Sequence, residues 1–373
     1  MNIFNFQKEL DKLYNERLCS QYPRVTKDDL LSHGVIIYGG HDWGKLVISQ
    51  LALHGIKPLW IIDANHELVG KRYLEFEIRP ISSLNDALDN YILICSTHIK
   101  DMAHICNYYN VKKWIVPAAL RDWCYITCEF GICMDGERYV DKLINAYSLM
   151  MDEKSRNIFF AFVRWHHIYE NDFTELCDPE SYFPNDLIDK IDYSFFIDAG
   201  AYTGDTLIDW IKFFKPEGKK CKYFAIEPQP TFFNLIENTL KTLPELIKIN
   251  IKLLNISVGS FNGFVEIEGL GGGSFIKKAS KGIHCKLIDD IFSSEFPTII
   301  KADIEGSELS MLEGAEQTIR RCRPVLAISV YHKYSDLWDI PIWIHNLNLN
   351  YAIYLRHHQK RFTDTVCYAI PMS

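Results

Sequence analysis

A chain of 373 residues is too long for one ordinary domain and calls for at least two folded units. With 48% hydrophobic and 13% aromatic residues it can fill large cores, which excludes a globally disordered protein. A net charge of −8 argues against a general nucleic-acid binder, normally basic, and no apolar run approaches the ~18 residues of a membrane-spanning helix.

Residues 1–18 intersperse charges with apolar positions and lack the continuous apolar core of a secretion signal. Phe6, Leu10, Leu13, Tyr14 and Leu18 fall on one helical face, placed to pack on the helix's own domain; self-association of the chain stays open. Eleven cysteines are an odd number for a disulfide framework, and Cys95 ends an apolar strand-like run, so a reducing, cytoplasmic setting is expected. Cys124, Cys128 and Cys133 cluster, but their spacing fits neither an iron–sulfur site nor a zinc pair, and they are read as free thiols.

Four short apolar runs, 34–38, 57–63, 91–95 and 113–116, alternate with helical stretches and predict a small parallel sheet. A glycine turn, Gly39-Gly40-His41, follows the first run, and Asp63 ends the second about twenty residues later. That pattern is a weak dinucleotide fingerprint, because His41 stands where a second glycine would let a pyrophosphate approach. It leaves two readings, a pocket for a nucleotide or nucleotide-sugar and an α/β module without a ligand. Residues 1–120 are assigned to this module. Residues 121–190 lose the strand pattern and predict a helical connector, with helices over 139–151 and 155–169. Its Trp165-His166-His167 cannot chelate one ion, since adjacent helical residues point apart.

Residues 191–373 resume the alternation. Phe195-Phe196-Ile197-Asp198-Ala199 is a buried strand, Gly200-Ala201-Tyr202-Thr203-Gly204 a turn opening a helix, and Phe224-Ala225-Ile226-Glu227 the next strand. Gly200 and Gly204 let the backbone pass close under a ligand. Glu227, at a strand tip one helix later, is placed to accept hydrogen bonds from vicinal ribose hydroxyls. Further strands are predicted over 249–258, 264–267, 298–303 and 324–330. The runs 351–355 and 365–370 predict an antiparallel closing hairpin.

The stretch from about residue 151 to the C-terminus resembles the FkbM-type S-adenosylmethionine-dependent methyltransferases, mostly O-methyltransferases of polyketides, sugars and glycans. The resemblance rests on Ile197-Asp198-Ala199-Gly200-Ala201-Tyr202-Thr203-Gly204-Asp205-Thr206, Ile226-Glu227-Pro228, Leu287-Ile288-Asp289-Asp290, Ile300-Lys301-Ala302-Asp303-Ile304-Glu305-Gly306-Ser307-Glu308, Val330-Tyr331-His332 and Leu355-Arg356-His357-His358. It implies an α/β class I (Rossmann-like) methyltransferase domain after the smaller Rossmann-like module, with S-adenosylmethionine as cofactor. It further implies that Asp198 holds the methionyl ammonium while Gly200, Ala201 and Gly204 cradle the cofactor. Tyr202 stands where many relatives carry Asn, and Ser257 is a candidate for the adenine rim.

Methyl transfer from a sulfonium is an in-line displacement, so the enzyme must position a hydroxyl and take its proton. Asp303, Glu305 and Glu308 gather carboxylates beyond the carboxyl end of a strand, and His332 ends the next strand with an ordinary pKa suited to a general base. Asp303, Glu305 and His332 are therefore read as catalytic, and Glu308 and Arg356 as acceptor contacts. A divalent cation on Asp303, Glu305 and His332 is the second reading, and no metal is assigned. Lys277, Lys278 and Lys281, after the Gly271-Gly272-Gly273 run, are read as a solvated loop in preference to a phosphate-binding flap.

The expected function is O-methylation of a hydroxyl on a carbohydrate, glycan precursor or related metabolite. The first module would hold a nucleotide-sugar. Two alternatives remain, a nicotinamide-dependent oxidoreductase using the Gly39 turn with Asp63, and a non-catalytic binding protein on a vestigial methyltransferase fold.

Overall fold

Strands covered on both faces read as near-continuous apolar runs, and two such runs, β1 (Val35–Tyr38) and β7 (Phe195–Ala199, apolar but for Asp198), lie inside two separate sheets. The computed structural model describes residues 3–18, 25–96, 98–116, 140–168, 173–216, 220–248, 250–268, 275–360 and 363–372. Cys124, Cys128 and Cys133 lie outside these, as do Gly271–Gly273 and the side chains of His166 and His167. The chain divides into one unit of Glu9–Arg138 with His166–Tyr169, and another of Met1–Lys8, Tyr139–Trp165 and Glu170–Ser373. No helix among the described residues is long and apolar enough to cross a membrane.

In the smaller unit, β1 is joined by β2 (Ile61–Ile62), β3 (Arg72–Tyr73), β4 (Phe76–Arg79), β5 (Tyr91–Ile94) and β6 (Trp114–Ile115), in the order β3-β4-β2-β1-β5-β6. All pairs are parallel except β3 with β4, a hairpin too short to leave a periodic pattern in the sequence. Gly39 has φ of 122°, and a Cβ there would strike the Cys95 carbonyl oxygen, so the turn requires glycine. His41 caps the helix Asp42–Leu53. The Asp63 carboxylate accepts the Gly40 N–H at 2.6 Å, so the acid of the weak fingerprint already closes the turn itself.

The larger unit is built on seven strands. They are β7, β8 (Lys222–Ile226), β9 (Ile251–Leu254), β14 (Ile299–Ala302), β15 (Val325–Ser329), β16 (Tyr351–His357) and β17 (Thr365–Pro371), in the order β16-β17-β15-β14-β7-β8-β9. The first five are parallel and the predicted hairpin closes the sheet antiparallel. A second sheet was not foreseen. It comprises β10 (Ser257–Val258), β11 (Gly263–Glu268), β12 (Phe275–Ala279) and β13 (Ile283–Lys286). The run 249–258 therefore splits between two sheets, because Asn255-Ile256 breaks the pairing and Ser257 turns to β13. The core includes Phe196, Trp210, Tyr223, Ala327 and Tyr368, all fully buried.

The stretch expected as a connector, 121–190, is described over 140–168 and 173–190; 166–168 group with the smaller unit, and 140–165 and 173–190 with the larger. They lie along β16 through bridges Met150–Ile353 and Cys177–His357. Arg356 of β16 is 1% exposed, and a buried guanidinium needs partners. Its Nη2 lies 2.6 Å from both Asp152 and Asp186, and its Nε donates to both Asp186 oxygens at 3.0 Å. This corrects the expectation of an acceptor contact: Arg356 does not line the cavity described below and clamps 152–186 to the closing hairpin instead.

Burial alone would raise the Asp152 and Asp186 carboxyls, but the Arg356 hydrogen bonds and charge hold both below their ordinary value. Their stabilisation is therefore fully present above the ordinary carboxylate range and lost as pH falls through the depressed folded values. Arg356→Ala should cost about 1–2 kcal/mol at neutral pH, since the carboxylates left behind are 34% and 44% exposed. In denaturant titrations the gap from wild type should shrink on acidification below about pH 4. A gap independent of pH would contradict the clamp.

Candidate active site

The carboxyl ends of β7, β8, β14 and β15 meet around one cavity, where open α/β sheets place their ligands. Gly200, just beyond β7, has φ of 78°, and a Cβ would collide with the Asp303 carbonyl oxygen beyond β14. Only glycine lets these two strand ends approach. Gly204 (φ 84°) then caps the helix Asp205–Phe214. Between them the Tyr202 N–H donates to Glu227 Oε2 at 2.9 Å, and the Gln229 N–H donates to Oε1 at 2.7 Å. Glu227 is 5% exposed. Burial raises its pKa more strongly than these two backbone donors lower it.

Register explains the charge at the centre. Lys301 of β14 lies opposite Asp198 of β7, so both side chains stand on the same face of the sheet. The Lys301 ammonium is 2.8 Å from Asp198 and donates to the Gly200 carbonyl at 2.6 Å. The Tyr223 hydroxyl donates to Asp198 at 2.6 Å. Asp198 is fully buried and does not line the cavity, so the expected contact with a methionyl ammonium is replaced by an internal ion pair. Ala201 and Gly204 shape the turn without lining the cavity, whereas Gly200, Tyr202, Glu227 and Ser257 do line it.

The cavity has a volume of 460 Å³ and also takes in Asp303, Glu305, Tyr182, Tyr331, Lys301 and Asp364. Tyr182 and Tyr331 donate their phenol hydrogens to opposite oxygens of Asp303, at 3.0 and 3.1 Å. Burial works to raise Asp303, but the His332 charge, then Lys301 and the two phenols, hold it below its usual value. Tyr182, Tyr202 and Glu305 all have left-handed backbones, with φ of 63°, 46° and 55°. Each costs on the order of 1–3 kcal/mol, and such strain concentrates at binding sites.

His332 departs most from expectation. It is 2% exposed and does not line the cavity. Its ring nitrogens lie 2.9 Å from Glu308, 3.3 Å from Glu305 and 3.5 Å from Asp303. Burial would lower its pKa, but Glu308 foremost, then Asp303 and Glu305, push it up to about 10. A charged imidazolium cannot accept a proton at neutral pH, which corrects its reading as a free general base. Glu308 is fully buried and accepts the Ile304 N–H at 2.8 Å. It closes the turn after β14 and is not among the cavity-lining residues, against the expected acceptor contact. Lys277, Lys278 and Lys281 do not line the cavity either. The sequence reading missed the roles of Lys301, Tyr182, Tyr331 and Asp364. A lysine inside the apolar run Ile299-Ile300-Lys301-Ala302 was the one local signal, while nothing near Tyr182 or Asp364 marks them.

A family model described as the methyltransferase FkbM domain matches residues 198–362. The fold is similar to the crystal structure of methyltransferase FkbM from Methylobacillus flagellatus KT, with a TM-score of 0.71 and 21% identity over 98% of this chain and 99% of that one. An rRNA methylase from Streptococcus thermophilus aligns with 12% identity over 49% of this chain and 90% of that one, at a TM-score of 0.32. The methyltransferase domain of a bacterial Hen1 aligns with 13% identity over 48% of this chain and 90% of that one, at 0.30. No curated protein sequence matches.

Lys301→Met strands the Asp198 carboxylate in a fully buried position, which should cost about 3–5 kcal/mol in urea unfolding. Adding Asp198→Leu should return part of that loss, because the unpaired charge is then gone. A double variant as unstable as the sum of the two singles would refute coupling between them.

Proposed function

Residues 198–362 are a methyltransferase FkbM domain, and from that premise we propose that this methyltransferase uses S-adenosylmethionine to methylate a hydroxyl of a carbohydrate, glycan precursor or related metabolite. The observation that carries the reading is one cavity flanked by Glu227 and by the Asp303–Glu305 carboxylates. Its volume falls in the range of about 300–1,000 Å³ usual for small-molecule sites. Glu227 takes one backbone N–H on each oxygen and keeps lone pairs for a ribose diol. Phe232, Ile256 and Val258 add apolar surface suited to a purine ring. When bound, S-adenosylmethionine supplies a methyl group on a cationic sulfur.

The chain's own work is to orient the acceptor and receive its proton. Asp303 stays ionised at neutral pH, and its two oxygens are fixed by the Tyr182 and Tyr331 phenols. A carboxylate of low basicity suffices as proton acceptor, because a hydroxyl oxygen becomes strongly acidic as it gains a methyl group. The proton passes from the hydroxyl to an Asp303 oxygen and then to solvent. Glu305, with a side chain 26% exposed, adds a second carboxylate to the same wall. Both favour a cationic electrophile over its neutral product. The accompanying proposal, a nucleotide-sugar held by the smaller unit, rests on the Gly39 turn and Asp63 as a sequence pattern.

Isothermal titration with S-adenosylmethionine should give one site per chain. Glu227→Gln keeps one carbonyl acceptor for the turn and should weaken binding about tenfold, or ~1.4 kcal/mol. Asp303→Asn should bind the cofactor but lose transfer. No binding by the wild-type protein, or equal affinity in Glu227→Gln, would contradict the assignment.

A further inference from the structure

Behind the Asp303–Glu305 wall lies more negative charge than the neighbouring cations cancel. Glu308 is 0% exposed, His332 2% and Asp336, at the head of the helix Asp336–Asn346, 3%. The Glu308 charge acts on both His332 and Asp336. Burial and the Glu308 charge raise Asp336 and favour its neutral form, so Asp303, Glu305 and Glu308 are the charged carboxylates that crowd one imidazole. The ammonium groups in reach are Lys333, which donates to the Gly306 carbonyl, and Lys301, paired with Asp198. Excess buried charge of one sign is costly without a counter-ion.

A second observation concerns hydrogen bonding. Despite the crowding, neither ring nitrogen of His332 has a hydrogen-bond partner, and neither does Glu308 Oε2. The 2.9 Å approach of Nδ1 to Glu308 Oε1 is thus a close contact without an aligned N–H. Donor atoms of Asp303, Glu308 and His332 all lie within 4.8 Å of one another. Atoms sharing one ion, each about 2.0–2.2 Å from it, lie at most about 4.4 Å apart, so these donors reach a common ion with a small inward shift.

We propose that Asp303, Glu308 and His332 bind a divalent first-row transition metal at the rear of the cavity wall. Two carboxylates with one imidazole suit manganese, iron(II) or zinc better than calcium or magnesium. The ion takes the place of the proton on His332 and cancels the buried negative charge. Through Asp303 it reaches the cavity, where it fixes the carboxylate that the proposed methyl transfer uses. Ion binding itself does not rest on that reaction.

The test uses the full chain, stripped with EDTA and titrated with Mn²⁺ while the free-ion electron paramagnetic resonance signal is followed. One saturable site per chain, displaced by Zn²⁺, is expected. Glu308→Gln should weaken it by at least about tenfold. The same variant should keep its affinity for S-adenosylmethionine within about twofold, which also reports that it is folded. Asp303→Asn, at a side chain 26% exposed, provides a second ligand deletion with less risk to folding. Absence of a saturable site, or a site that both variants leave unchanged, overturns the proposal. Intact cofactor binding without an ion overturns the ion alone, whereas ion binding without cofactor binding overturns only the methyltransferase cofactor assignment.

Discussion

The ion pair between Lys301 and Asp198 is the constraint from which the rest of the site follows. It joins two central strands at their carboxyl ends, with both groups buried and opposite in register. The same ammonium holds the Gly200 carbonyl, and so fixes the turn that brings the Tyr202 N–H to Glu227. Two residues after Lys301, just past the end of β14, Asp303 leaves the sheet and meets the phenols of Tyr182 and Tyr331. A buried pair of this kind contributes little net stability compared with an apolar pair. What it supplies is position, because each member has a single arrangement in which its charge is satisfied.

Electrostatics then distinguishes carboxylates that look alike in the sequence. Glu227 is raised by burial, Asp303 is lowered by the cations and phenols around it, and Glu308 accepts a backbone N–H and lies against the His332 ring. Three acids near one cavity therefore take three roles. The smaller unit shows a parallel arrangement at Asp63 and Gly40, in which an acid at a strand tip closes a glycine turn.

Local patterns made much of this legible. Buried strand runs with glycines at fixed offsets announced β7 and its turn, and the spacing to Glu227 announced the neighbouring strand. The closing hairpin was readable from two apolar runs around a polar segment. What escaped depended on distant partners. Arg356 reads as an acceptor contact on the closing hairpin until Asp152 and Asp186, 204 and 170 residues away, are brought to it. His332 reads as a neutral base until the carboxylates around it are counted. Tyr182 comes to Asp303 across 121 residues, on a stretch with no strand or helix period to place it. The two-residue strand at Ser257 is too short for any periodicity to mark.

The central claim is that a nucleoside cofactor and a hydroxyl acceptor meet in the cavity between Glu227 and Asp303. A crystal structure with S-adenosylhomocysteine tests it most directly. The account predicts the ribose diol on the Glu227 carboxylate, with the sulfur directed toward the open space beside Asp303 and Glu305. A ligand seated elsewhere, or a sulfur directed away from those carboxylates, would contradict it.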